Sequence, residues 1–109
     1  MNIEFHTPHH EVKEWIIHYM KEELMHVHRD FKEVSRAEVY FSERINDLIP
    51  EKICEVDLSI FGDSIKIKRI AASFDQAARE TITEVREKLE QHVKTQNEPP
   101  DEITSTVNV

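Results

Sequence analysis

The sequence predicts an α+β two-layer sandwich in the order β-α-β-β-β-α, with a four-stranded sheet and two helices on one of its faces. Three observations predict it. Two long segments carry apolar residues at helical spacing, the stretch between them alternates apolar with polar residues, and the only glycine falls inside that stretch, where two strands must turn. At 109 residues the chain suits one domain with one modest core. Residues 1–95 are expected to form that domain, and 96–109 a disordered acidic tail.

The first element, Asn2 to His6, is a short mixed run ended by Thr7-Pro8, and reads as a strand. From His10 the period changes. Val12, Trp15, Ile16, Tyr19, Met20, Leu24, Val27 and Phe31 follow the i, i+3, i+4, i+7 rule, leaving Lys13, Glu14, Glu22, Glu23, His26 and Arg29 on the wet side. A helix of about five turns is expected, with Trp15 and Tyr19 in the core.

Ala37, Val39 and Phe41 then alternate with Glu38, Tyr40 and Ser42, and Cys54, Val56, Leu58 and Ile60 with Glu55, Asp57 and Ser59. Both read as half-buried strands. Between them Arg44 to Glu51 reads as a loop, with Ile45, Leu48 and Ile49 folding back onto the body. Gly62-Asp63 reads as a two-residue hairpin turn with glycine at its first position. That register pairs Ile60 with Ile65 and Leu58 with Ile67, sets Asp57 opposite Lys68, and leaves Arg69 on the core side opposite Val56. A bulge or a frayed end is expected there.

Ser73 N-caps the second helix, and Gln76 three residues on completes a capping box. Phe74, Ala77, Ala78, Ile82, Val85, Leu89 and Val93 form its apolar stripe, and the polar run from Gln96 to Pro100 ends it. The tail to Val109 has no period.

Composition narrows the chemistry. One glycine excludes the glycine-rich phosphate and dinucleotide loops, and one cysteine excludes an internal disulfide or a multi-thiolate zinc site. Cys54, mid-strand on the apolar side, is expected to behave as a small hydrophobe. Seven histidines invite a metal, but His26 and His28 diverge by about 200° on a helix. His6, His9 and His10 would need His18 or a carboxylate to complete a site. Solvated surface histidines are the expectation, with no metal, cofactor, small-molecule substrate or catalytic residue. The start lacks a signal's basic and apolar regions, and no apolar run reaches membrane length, so a cytoplasmic protein is expected.

The formal charge is −8, which by itself opposes polyanion binding. The charge is uneven, however. Three of those net charges lie in the tail and three in the first 33 residues. Lys66, Lys68 and Arg69 form the one basic cluster. Alternation places Tyr40 and Phe61 on the open sheet face, where exposed aromatics can stack bases.

The order of elements and several phrases resemble the short ribosome hibernation-promoting factors, a family also labelled sigma-54-modulation proteins or ribosome-associated inhibitor protein Y. The phrases are Met1-Asn2-Ile3 opening a strand, the helix end from Tyr19 to Phe31, and Ala37-Glu38-Val39. Cys54 to Ile60, a turn, Lys66-Ile67-Lys68, and Ser73-Phe74-Asp75-Gln76-Ala77 complete the set. The resemblance spans residues 1–95. It implies a double-stranded-RNA-binding-like fold that sits on the small ribosomal subunit, excludes mRNA and tRNA sterically under stress, and makes or breaks no bond. It also implies rRNA contacts from Lys66, Lys68, Arg69, Arg86, Lys88, Lys94, Lys21 and Arg29. Glu84, Glu87 and Glu90, together with Glu23 and His26, stand where the family keeps bases. An alternative follows from that departure, in which the same fold has left the ribosome and binds a basic protein through its acidic helix face.

Overall fold

The computed structural model describes residues 1–7 and 12–97, with side chains described as far as residue 94. His9, His10 and the expected tail from 98 onward lie outside the described residues. The elements are β1 (Asn2–His6), α1 (Glu14–Asp30), β2 (Val34–Asn46), β3 (Ile49–Ile60), β4 (Asp63–Ala71) and α2 (Phe74–Asn97). This is the predicted β-α-β-β-β-α order. The four strands form one sheet in chain order, with β1 parallel to β2 and the remaining pairs antiparallel. The parallel pair follows from connectivity, since α1 carries the chain back before β2 begins.

One parity of every strand faces the helices. Ala37, Val39, Phe41, Cys54, Val56, Leu58, Ile60 and Ile67 are buried there, against Ile16, Met20, Leu24 and Val27 of α1 and Ala77, Ala78, Ile82, Val85 and Leu89 of α2. Alanines at 77 and 78 let α2 lie close to the sheet. At the end of α1, Nδ1 of His28 donates to the Val34 carbonyl at 2.9 Å, tying the helix to the start of β2. Trp15 is not core. It is 48% exposed at the rim of the stripe, in the first turn of α1, where the sheet ends beneath it.

The segment expected as a loop is a hairpin. β2 and β3 pair without interruption out to Asn46 and Ile49, and turn through Asp47 (φ 51°) and Leu48 (φ 68°). Two positive φ values in a two-residue connection make a type I′ turn, which matches strand twist. Sequence reasoning missed it because the apolar alternation fails there. The pairing is supported instead by opposite charges across the ladder, Arg44 with Glu51 and Lys52 with Glu43. Ile45, Leu48 and Ile49 do not fold back; they are 70%, 93% and 64% exposed.

The β3–β4 register differs from expectation by two residues. Phe61 and Gly62 occupy the turn, with Gly62 (φ 67°) at its second position, so Ile60 meets Asp63, Leu58 meets Ile65 and Asp57 meets Lys66. A slip of two leaves every side chain on its predicted face, because the pleat has period two. No register irregularity interrupts this pair at Arg69, which stands opposite Cys54; the sheet's shift lies instead between Val34 and Arg36 of β2. At the start of α2, the Gln76 backbone N–H donates to Ser73 Oγ at 3.3 Å. The capping box is half made, since the Gln76 amide donates forward to Glu80 at 3.0 Å.

Candidate nucleic-acid interface

The eight basic residues singled out from sequence fall on two opposite sides of the sandwich. Lys66 and Lys68 point away from the helices, on the open sheet face. Arg69, one residue on, takes the other parity. Its guanidinium clears the edge strand and donates from Nη2 to Glu80 and from Nη1 to Glu84 of α2, each at 3.2 Å. Lys21 and Arg29 lie exposed on α1, and Lys88 and Lys94 on α2, where Arg86 is half-buried.

Several of these cations already have carboxylate partners. Arg86 donates to Asp30 at 3.2 Å, bridging the two helices. Arg29 lies 3.6 Å from the same Asp30, and Lys66 lies 4.0 Å from Asp57. Lys68 stands opposite Glu55 on the ladder. Among the described residues Lys21, Lys68, Lys88 and Lys94 have no ion-pair partner; Lys68 lies on the open sheet face and the other three belong to the helix layer.

The open sheet face is polar and internally bonded. Arg36 donates to Glu38 at 2.7 Å and to Glu4 at 3.2 Å, while the Tyr40 hydroxyl donates to Glu38 at 3.0 Å. The Tyr40 hydrogen bond, with Arg36 beside it, holds the Glu38 carboxyl below its ordinary range and pushes the Tyr40 phenol up. Tyr40 is half-buried, and His6 lies flat on its ring with centroids 4.5 Å apart and planes 10° from parallel. The ring face expected to be open to a base is therefore covered by an imidazole. Phe61 is open, 84% exposed at the β3–β4 turn.

Glu4, His6 and Glu38 bring one donor atom each within 4.8 Å of one another. Arg36 already occupies both carboxylates, so the charge a cation would neutralise is neutralised there. Cys54 is fully buried, and burial pushes its thiol up to about 11. It is held as a neutral hydrophobe, not as a nucleophile. Among the described residues no buried side-chain polar atom lacks a hydrogen-bond partner, and no helix is long and apolar enough to cross a membrane.

Sequence reasoning passed over Arg79. It is exposed on α2; burial raises the Tyr19 phenol and Arg79 opposes that rise, while the Ser73 hydrogen bond, with Arg79 adding to it, lowers the Asp75 carboxyl. The signal was available, since 79 lies about 90° around the helix from the stripe of Ala78, Ile82, Val85 and Leu89, on its polar flank.

Solved structures share this fold, two of them as follows. A ribosomal subunit interface protein from Coxiella burnetii superposes with a TM-score of 0.72 at 15% identity, covering 86% of this chain and 99% of its own. The N-terminal domain of Protein Y from Thermus thermophilus gives a TM-score of 0.67 at 16% identity, over 84% of this chain and 99% of that domain. No protein-family model and no curated protein sequence matches the chain.

Proposed function

We propose that the protein is a ribosome-associated translation inhibitor of the hibernation-promoting kind, which docks on small-subunit rRNA and blocks the mRNA and tRNA sites by occupying them. The observation that carries this reading is the near-complete coverage of two solved structures, one of which is named for the ribosomal subunit interface. At 15–16% identity the fold is shared, and the fold fixes the scaffold without fixing the charges on its surface.

The helix layer is the rRNA-facing side in this reading. Its Lys21, Lys88 and Lys94 are exposed and without ion-pair partners among the described residues, so binding phosphate breaks no existing pair. Lys66 and Lys68 look the other way and stand opposite Asp57 and Glu55. A few phosphate contacts against a net charge of −8 predict a weak and strongly salt-dependent association. Co-sedimentation with purified small subunits at low and at physiological salt is the test. Association at low salt that falls as salt rises supports the proposal; no association at either salt removes it.

A second reading rests on a specific arrangement. Arg69 and Arg86 are spent on internal pairs, whereas Glu87 and Glu90 of α2 are exposed with no ion-pair partner among the described residues. The same face could then recognise a basic protein. Binding to a basic partner that is lost on Glu87→Lys with Glu90→Lys, alongside absent ribosome binding, would favour it.

A further inference from the structure

The β2–β3 ribbon outlasts both of its neighbours. β1 pairs with β2 only as far as Tyr40, and β4 pairs with β3 only from Lys52. Beyond those points two strands continue alone to Asp47 and Leu48, and every residue from Ser42 to Pro50 is exposed. Ile45 and Pro50 stand opposite each other on the parity that faces the helices elsewhere, but no helix covers them. Leu48 at the tip breaks two rules at once. It is a γ-branched apolar residue held at φ 68°, a region that favours glycine or asparagine, and it is 93% exposed.

At the ribbon's base, on the same side, lies an unfilled slot of about 270 Å³. Lys13, Trp15, Ile16, Lys52, Phe74 and Asp75 line it. Trp15 and Phe74 give it two aromatic walls, and Lys13, Lys52, Ser73 and Asp75 make the rest of its lining largely polar. Phe74 packs edge-on against Phe41 at 5.6 Å, and the Lys52 ammonium lies 5.1 Å over the Phe74 ring. Asp75 is occupied with its own helix start, where hydrogen bonding from Ser73 lowers its titration.

We propose that the protein pairs with a second copy of itself by a clasp of these ribbons, in which the Leu48 tip of each copy enters the slot of the other. The chain carries on one surface an apolar projection and a recess that has an aromatic side beside its charged rim, and a two-fold axis through the Ile45–Pro50 region brings each to its complement. The spacing agrees. Leu48 is four residues from Lys52 in the slot wall, about 13 Å of strand, and two ribbons laid antiparallel match tip to base over one such length. Charge agrees as well. Asp47 flanks the tip, and Lys13 at the slot has no ion-pair partner among the described residues. A phosphate backbone is the poorer occupant, because the ribbon's cations Arg44 and Lys52 are both paired and its tip is acidic. This inference is independent of the ribosome reading.

Sedimentation of the full chain over a range of concentrations tests it, together with fluorescence of Trp15, the sole tryptophan and a wall of the slot. The wild type is expected to dimerise reversibly, with Trp15 emission shifting to shorter wavelength as it does. Leu48→Asp is expected to weaken dimerisation by about tenfold or more and to abolish the shift. Its far-UV circular dichroism should be unchanged, since the tip packs on nothing within its own chain. Lys13→Glu is expected to weaken dimerisation about threefold in the wild type, and less in an Asp47→Asn background. A chain that stays monomeric at every concentration, or a dimer that Leu48→Asp leaves intact, overturns the proposal.

Discussion

Arg69 Nη1 lies 3.2 Å from Glu84 Oε1, and its Nη2 lies 3.2 Å from Glu80 Oε1, so the last strand and the last helix are joined by one guanidinium and two carboxylates. Arg69 sits on the parity that should be apolar. Its position on the edge strand lets the charged head leave the core while the stem stays at the rim. Glu84, which stands where the resemblance expects a base, is therefore a structural partner of Arg69, which the same resemblance expects at RNA.

That triad gives a test of the charge argument. Glu80→Gln with Glu84→Gln removes two negative charges from α2 and frees Arg69 for phosphate. The double variant should sediment with small subunits more strongly than the wild type at low salt, with a steeper salt dependence. Its stability should change by no more than about 1 kcal/mol, because the pairs are largely exposed. Urea unfolding checks the second point.

The two sides of the sandwich can be told apart by reversal. Lys88→Glu with Lys94→Glu should reduce small-subunit association and flatten its salt dependence by roughly one slope unit per lost phosphate contact. Lys66→Glu with Lys68→Glu, on the open sheet face, should leave it nearly unchanged. The reverse result would move the interface to the sheet.

Cys54 predicts a pH dependence. Its thiol holds a proton more tightly when folded, with a pKa near 11 against an ordinary 9.0. Its contribution is thus complete below pH 9 and is lost as pH rises through 11, on the order of 2 kcal/mol in all. Unfolding free energy measured from pH 8 to 11 should fall over that interval, and fall less in Cys54→Ala. At pH 8 a thiol reagent should modify Cys54 only at the rate of unfolding.

The two hairpins should respond oppositely to glycine. Gly62 has nothing within 4 Å of an added Cβ but holds φ 67°, so Gly62→Ala should cost about 1 kcal/mol through backbone strain alone. Leu48→Gly relieves the same kind of strain at φ 68° and should stabilise the monomer by about 0.5–1 kcal/mol. Thermal melts of both variants decide it. An unchanged or lower midpoint for Leu48→Gly would mean the turn is unstrained.

Much of the fold was legible because its signals are local. The stripe from Ile16 to Val27 and that from Ala77 to Leu89 need only the 3.6-residue period, and the faces of Val56 and Leu58 need only alternation. Register was less legible. Moving the turn from Gly62-Asp63 to Phe61-Gly62 preserves every face, so hydrophobicity cannot distinguish the two, and only the ladder reports which one forms. The β2–β3 ribbon was illegible for a different reason. Between Ser42 and Glu51 the strand signal is carried by cross-strand charge pairs, which a reading along the chain does not see.

The candidate site divides along the same line. Sequence alone determined that the chain has one layer of sheet and one of helices, that Cys54 is core, and that the helix cations lie outside the apolar stripes while Arg69 falls on the core parity of its strand. Tertiary structure decided which cations remain available. Arg69 is fifteen residues from Glu84 and Arg86 is fifty-six from Asp30, yet each pair closes to hydrogen-bonding distance. Lys66 and Arg69 are near neighbours in sequence and face opposite sides of the molecule. A net charge adds residues without regard to position, whereas Coulomb energy falls with distance, so partnership is settled only when the layers pack.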